Sequence, residues 1–184
     1  MSSPYLASVP VEVRRRAANI RLLALDVDGT LTDGRLHLAA DGVEIKVFHA
    51  HDGQGLKLLR EIGIEVALIT ARVSQVVSQR AGELGITHVH QGCHDKRTNL
   101  QAICQIMGLT PAQVAFMGDD LPDLPALAWS GLSAAPANAH PWVRERVHWV
   151  VPADGGVGAA RMLCDLILEA QGQTESVLRK FMPA

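Results

Sequence analysis

Residues 20–27, IRLLALDV, run apolar almost without a break and then stop at Asp28-Gly29. A strand with one wet face alternates apolar and polar residues. One that does not alternate is buried on both faces, and a sheet buried on both faces needs helices above and below it. Glu65–Thr70, Val114–Met117 and, more weakly, His148–Val151 repeat the pattern. Between these runs the period changes to that of a helix over Val73–Leu84, Lys96–Met107 and Gly158–Ala170. Leu163, Leu166, Ile167 and Ala170 fall at i, i+3, i+4 and i+7, as do Leu100, Ile103, Cys104 and Met107. Strands and helices in alternation predict an α/β fold, a Rossmann-like parallel sheet with helices on both faces. At 184 residues the chain is expected to form a single domain over 1–184.

Two stretches stand outside the alternation. Residues 35–49, RLHLAADGVEIKVFH, hold two short period-2 runs around Ala40-Asp41-Gly42, which predicts a β-hairpin flap after the first strand. Residues 171–184 show no strong pattern and are expected to form a C-terminal tail.

In open α/β sheets, ligands bind beyond the carboxyl ends of the strands. The first strand ends in Asp26-Val27-Asp28-Gly29-Thr30 and the second in Thr70-Ala71-Arg72. Lys96 opens a later helix, and Val114–Met117 runs into Gly118-Asp119-Asp120, with Asp123 following. Each of these has a plain structural explanation. Asp26 and Asp28 could form an Asx-turn with Gly29 at positive φ, and Asp119 or Asp120 could cap the next helix, where Pro122 suits the first turn. Thr70 is also an ordinary β-branched strand residue, and Lys96 and Arg80 could be solvated cations. Arg80, however, falls in the middle of its helix's apolar stripe, where a cation needs an anion or a route to water. Lys96 lies in a first turn, where the helix dipole disfavours a cation by ~0.3–1 kcal/mol. It would be better placed beside an anion.

Carboxylates that gather a hard cation such as Mg2+, with Lys, Arg and Thr for an anion, describe phosphoryl transfer. One Asp can serve as nucleophile, and another two residues on as the acid and base. DVDGT, Thr70, Lys96 and GDDLPD, in this order, resemble the four motifs of the haloacid dehalogenase-like phosphatases. The resemblance implies Asp26 as nucleophile, Asp28 as general acid/base, and Thr70 and Lys96 on the transferring phosphoryl group. It places Mg2+ on Asp26, the carbonyl of Asp28, and Asp119, with Asp120 and Asp123 orienting those ligands.

The gaps between the motifs hold only the hairpin, two helices and a strand, with no room for a separate cap domain. The site would be open in a monomer. A homo-oligomer is therefore expected, a neighbouring subunit covering the active site and the hairpin packing between subunits. FHAHDGQG, LITAR, LGITHVHQG, NAHPWV and GGVGAARMLCDLIL are similar to the capless branch of the family. That branch implies a tetramer, and as substrate an eight-carbon sugar-acid phosphate of lipopolysaccharide synthesis. A nine-carbon sialic-type acid 9-phosphate is the alternative. Substrate contacts would fall on His49, Asp52, Gly53, Lys57, Arg72, Arg80 and Lys96. The family commonly has Asn-x-Arg-Asp-Gly where this chain has His49-Ala50-His51-Asp52-Gly53, and often Arg at Lys57; these positions touch the sugar rather than the phosphoryl group.

Other classes fit less well. A formal net charge of −2 offers no field to attract nucleic acid or a membrane surface. No apolar run reaches the length of a span, and the N-terminal arginines follow the mildly apolar part, the reverse of a signal peptide. A cytoplasmic location is expected. Cys93, Cys104 and Cys164 have no disulfide-like spacing. His88, His90, Cys93 and His94 lie so close together that they would rarely reach tetrahedral geometry without a loop, and no second cluster completes a structural zinc site. A phosphoacceptor receiver module gathers similar residues, but its acceptor Asp follows the acidic pair on a later strand, whereas here the DxD comes first.

Overall fold

The computed structural model describes residues 6, 8–40, 42 and 44–182. The chain begins with α1 (Val11–Ala17) and enters the sheet through β1 (Leu22–Leu25). A small ribbon of β2 (His37–Leu38) and β3 (Glu44–Ile45) leads to α2 (Ala50–Glu61). β4 (Glu65–Ile69), α3 (Gln75–Leu84), β5 (His88–His90), α4 (Lys96–Met107) and β6 (Val114–Met117) follow. The chain closes through α5 (Leu124–Trp129), β7 (Leu132–Ala135), α6 (Pro141–Arg144), β8 (Trp149–Val150), α7 (Ala159–Ala170) and α8 (Thr174–Phe181). Single 3-10 turns at Pro111–Gln113 and Leu121–Asp123 precede β6 and α5.

Six parallel strands form one sheet in the order β5-β4-β1-β6-β7-β8. The parallel α/β sheet expected from the apolar runs is therefore present, with β1 between β4 and β6. All four residues of β1 are buried, and they divide by the strand period. Leu23 and Leu25 enter the core beneath α1, α2, α3 and α7 with Leu56, Val77, Leu163 and Ile167. Leu22 and Ala24 enter the opposite core with Leu100, Ile103, Phe116, Leu127 and Val143, from α4, β6, α5 and α6. A fully buried Leu or Ile side chain contributes about 1.5–3 kcal/mol, so this two-sided burial fixes where β1 ends.

Local signals set the helix ends. Asp95 accepts a hydrogen bond from the Thr98 N–H at 3.0 Å and caps α4, and Gly108 (φ 66°) ends it in the left-handed conformation. α3 starts at Gln75, not Val73. Val73 is exposed, so the apolar stripe reduces to Val77, Ala81 and Leu84.

Several elements differ from the sequence reading. β7, LSAA, was not expected: one leucine followed by a serine and two alanines carries little strand signal, yet all four are buried between β6 and β8. The residues read as a patternless tail are helical over Thr174–Phe181, and Lys180 pairs with Glu61 of α2 at 2.7 Å. Pro183 and Ala184 lie outside the described residues, as does Asp41 in the expected hairpin turn, beside Gly42 (φ 83°). Among the described residues the three cysteines are free, and no helix is long and apolar enough to cross a membrane.

Candidate active site

The chain turns in opposite directions from β1 into β4 on one side and β6 on the other, which opens a crevice at their carboxyl ends. Asp26, one residue beyond β1, donates its N–H to the Met117 carbonyl at 2.9 Å and so stays in register with β6. Thr70 is likewise held at the end of β4 by its N–H to the His90 carbonyl. Asp26, Asp28, Thr70, Arg72, Lys96, Asp119, Asp120 and Asp123 line one open concavity.

At its base lies a buried charge cluster. Lys96 Nζ stands 2.8 Å from Asp26 Oδ1 and 2.5 Å from Asp123 Oδ1. This resolves the cation at a helix N-terminus: burial works against its charge, but Asp26 and Asp123 outweigh it and the ammonium's pKa is raised. Asp123, almost fully buried, also accepts the Asp119 and Asp120 N–H groups at 3.0 and 3.2 Å. Asp119 receives the Thr30 hydroxyl at 3.3 Å. Burial pushes the Asp26 carboxyl up to about 6, with the charge of Asp123 adding to it and Lys96 opposing. Asp119 is pushed up to about 7 by burial and by the charges of Asp26 and Asp123.

Three carboxylates around one ammonium are short of positive charge. Oxygens of Asp26, Asp119 and Asp123 lie within 4.8 Å of one another, an all-oxygen set that suits a hard divalent cation. Both oxygens of Asp123 already accept hydrogen bonds, whereas Asp26 meets Lys96, and Asp119 meets Thr30, through Oδ1 alone, so Asp26 and Asp119 are the better placed to meet a cation. Gly29 makes their approach possible. It has φ 88°, and a Cβ there would fall 2.0 Å from Asp119 Oδ2. Asp120 is exposed and caps the 3-10 turn through Leu121 N–H at 2.8 Å.

The residues expected to hold the sugar do not all meet here. Arg72 does, 2.8 Å from Glu44 and 3.8 Å from Asp28. His49, Asp52, Gly53 and Arg80 instead line a small separate pocket between α2 and α3. Asp52 is buried and accepts the Gly158 and Arg161 N–H groups at 3.3 and 2.7 Å, anchoring the start of α7. Arg80 bonds Glu83 at 3.1 Å with its guanidinium 5.8 Å from the Phe48 ring centre, which explains its place in an apolar stripe. Lys57 lies with Arg60 and Glu83 on another surface hollow.

Sequence reasoning missed Lys46. On the flap, Glu44, Lys46 and Phe48 point inward while Ile45 and Val47 are 55% and 62% exposed. Lys46 Nζ bonds Asp28 Oδ1 and stands 3.3 Å from Glu44 Oε1. An acid and a base two apart on a period-2 run was the only signal available.

The haloacid dehalogenase-like hydrolase family model matches residues 87–163. Over 164 residues the chain is 45% identical to the 3-deoxy-D-manno-octulosonate 8-phosphate phosphatase of Yersinia pestis, covering 89% of this chain and 88% of that one. A hypothetical protein from Xanthomonas campestris superposes with TM-score 0.95 at 54% identity, over 98% and 99% of the two chains. The Moraxella catarrhalis 3-deoxy-D-manno-octulosonate 8-phosphate phosphatase, solved with magnesium, phosphate and the sugar acid, superposes with TM-score 0.90 at 39% identity, over 92% and 98%. The sequence, the sheet order and the acid-lined crevice agree: this chain belongs to the haloacid dehalogenase-like hydrolases.

Proposed function

We propose that this protein is a magnesium-dependent phosphatase that hydrolyses 3-deoxy-D-manno-octulosonate 8-phosphate to the free sugar acid and phosphate, a step of lipopolysaccharide synthesis. The observation that carries the reading is the Asp26–Lys96–Asp123 cluster beside Asp119 at the mouth of β1. The similarity to phosphatases of this substrate supports the choice of sugar.

Asp26, fixed by Lys96, is the nucleophile that takes the phosphoryl group as an aspartyl-phosphate. Asp28, two residues on and partly open to the crevice, protonates the leaving alcohol and then takes a proton from the attacking water. Thr70 and Lys96 hold the phosphoryl oxygens. Asp26, Asp119 and the Asp28 carbonyl would hold Mg2+, which would offset charge on the phosphoryl oxygens. Asp123 orients Lys96 and the Asp119 backbone.

A second copy of the chain completes the site. The flap turns its charged face inward and leaves Leu36, Leu38, Ile45 and Val47 52–65% exposed, an apolar face on a two-stranded ribbon that is marginal alone. The sugar-contact candidates His49, Lys57 and Arg80 stand apart from Asp26 within one chain, which supports their serving a neighbour's site in a homotetramer.

Phosphate release from a panel of eight- and nine-carbon sugar-acid phosphates, with Mg2+ and then with EDTA, tests the reading. Turnover should need Mg2+ and favour the eight-carbon 8-phosphate. Preference for a nine-carbon 9-phosphate would move the substrate, and turnover indifferent to chelation would sink the mechanism. Asp26→Asn should lower turnover by about 10⁴-fold or more, as loss of a covalent nucleophile does.

A further inference from the structure

Most of the crevice acids take their hydrogen bonds from the loops that follow the main-sheet strands and from the first residue of α4. Asp26 is bonded by Lys96, Asp119 by Thr30, and Asp123 by Lys96 and two backbone N–H groups. Asp28 differs. Its hydrogen-bond donor is Lys46, on the flap, and Arg72 Nε stands 3.8 Å from its other oxygen. Glu44 closes the ring, 3.3 Å from Lys46 and 2.8 Å from Arg72.

The Lys46 side chain is only 3% exposed, although its neighbours Ile45 and Val47 are among the most exposed apolar residues of the flap. Fixing a lysine stem costs up to about 2 kcal/mol of rotamer entropy, so its ordered seat between two carboxylates is a strong local preference. Among the described residues the flap has no strand pairing with the main sheet, so its place over the crevice is set by side chains such as this one.

We propose that Lys46 is a positioning residue: its ammonium aims the Asp28 carboxyl at the leaving oxygen, so the flap takes part in the proton transfer and does not merely cover the crevice. The inference rests on the phosphatase reading above. In that reaction a bond forms from Asp26 to phosphorus as the ester P–O bond breaks, and the proton of Asp28 passes to the departing alkoxide. Water then attacks the phosphorus, its proton returns to Asp28, and Asp26 is released. Both transfers need the same carboxyl in the same place, and a misplacement of about 1 Å can cost about 10²-fold.

The test compares two leaving groups at saturating Mg2+. A sugar-acid phosphate leaves as an alkoxide and needs the proton; p-nitrophenyl phosphate leaves as a stable phenolate and does not. Lys46→Met should lower kcat on the sugar phosphate by about 10- to 100-fold with little change in KM, and lower it on the aryl phosphate by less than about threefold. Lys46→Arg should recover most of the loss, and in an Asp28→Asn background Lys46→Met should cost little more. Equal losses on both substrates, a change confined to KM, or no loss would overturn the proposal and leave Lys46 as a flap anchor. A wild-type protein that releases phosphate from neither substrate would overturn this inference together with the phosphatase reading.

Discussion

The carboxyl rim of β1 and the flap of β2 and β3 are a few residues apart in sequence and are built on opposite plans. The rim puts charge inside: Asp26, Lys96 and Asp123 are buried and joined by the Lys96 ion pairs, and the strand beneath is apolar on both faces. The flap puts apolar residues outside: two strands of two residues each, with Leu38 and Ile45 exposed and Lys46 turned inward. The rim is self-sufficient because the sheet has already fixed its geometry. The flap is held by ion pairs to Asp28 and Arg72, and its apolar face is exposed. On the proposed reading, the part of the site that would meet the phosphoryl group, common to all substrates, is the rigid one, and the part that would meet the variable leaving group is the one held by side chains alone.

This contrast breaks most sharply at Lys96. Lys96→Met leaves Asp26 and Asp123 buried without their cation and should destabilise the protein by about 3–5 kcal/mol, read as a lower urea midpoint in EDTA. A midpoint within error of wild type would show that the cluster is not the rigid element. Gly29→Ala comes next. With φ 88° and Asp119 Oδ2 2.0 Å from the new Cβ, the carboxylate must move, and Mg2+ affinity should fall about 10- to 100-fold by calorimetry.

The rim also has a pH signature. Asp26 and Asp119 titrate at about 6 and about 7 in the folded chain, against an ordinary value of 3.8. Between about pH 4 and 7 the metal-free folded state therefore binds more protons than the unfolded one. Its stability should fall as pH rises through that window and level off above it. Mg2+ binds the ionised carboxylates, so its affinity should rise across the same window with release of protons, and saturating metal should offset the loss. A metal-free melting temperature that climbs from pH 4 to 7 would contradict these shifts.

The smallest effect on the fold belongs to the flap. Ile45→Ser should change the stability of the single chain by no more than about 0.5 kcal/mol, as for an exposed residue, yet reduce the assembly to smaller species in light scattering. An unchanged mass would remove the flap from any interface between copies.

Much of this was legible in the sequence. IRLLALDV declared a strand buried on both faces, and DVDGT, Thr70, Lys96 and GDDLPD named the residues that line the crevice, because strand ends in a parallel sheet deliver whatever follows them to one edge. β7 was not legible, since LSAA has no β-branched or aromatic residue and is placed as a strand by β6 and β8 on either side. Nor was the helix over Thr174–Phe181, of whose residues none is buried and whose seat includes the pair between Lys180 and Glu61.

The site divides in the same way. The sequence by itself determined which acids stand at the sheet's edge, since that follows from strand period and turn position, both local properties. Only the tertiary structure decided what each does there. Asp52, read as a sugar contact, anchors α7 across 109 residues of sequence; Asp123 spends both oxygens on Lys96 and the Asp119 backbone; Lys46, unremarked in the sequence, meets Asp28. A hydrogen bond is set by a distance of about 3 Å, and no local pattern encodes which distant residue the packed helices and the flap will bring that close.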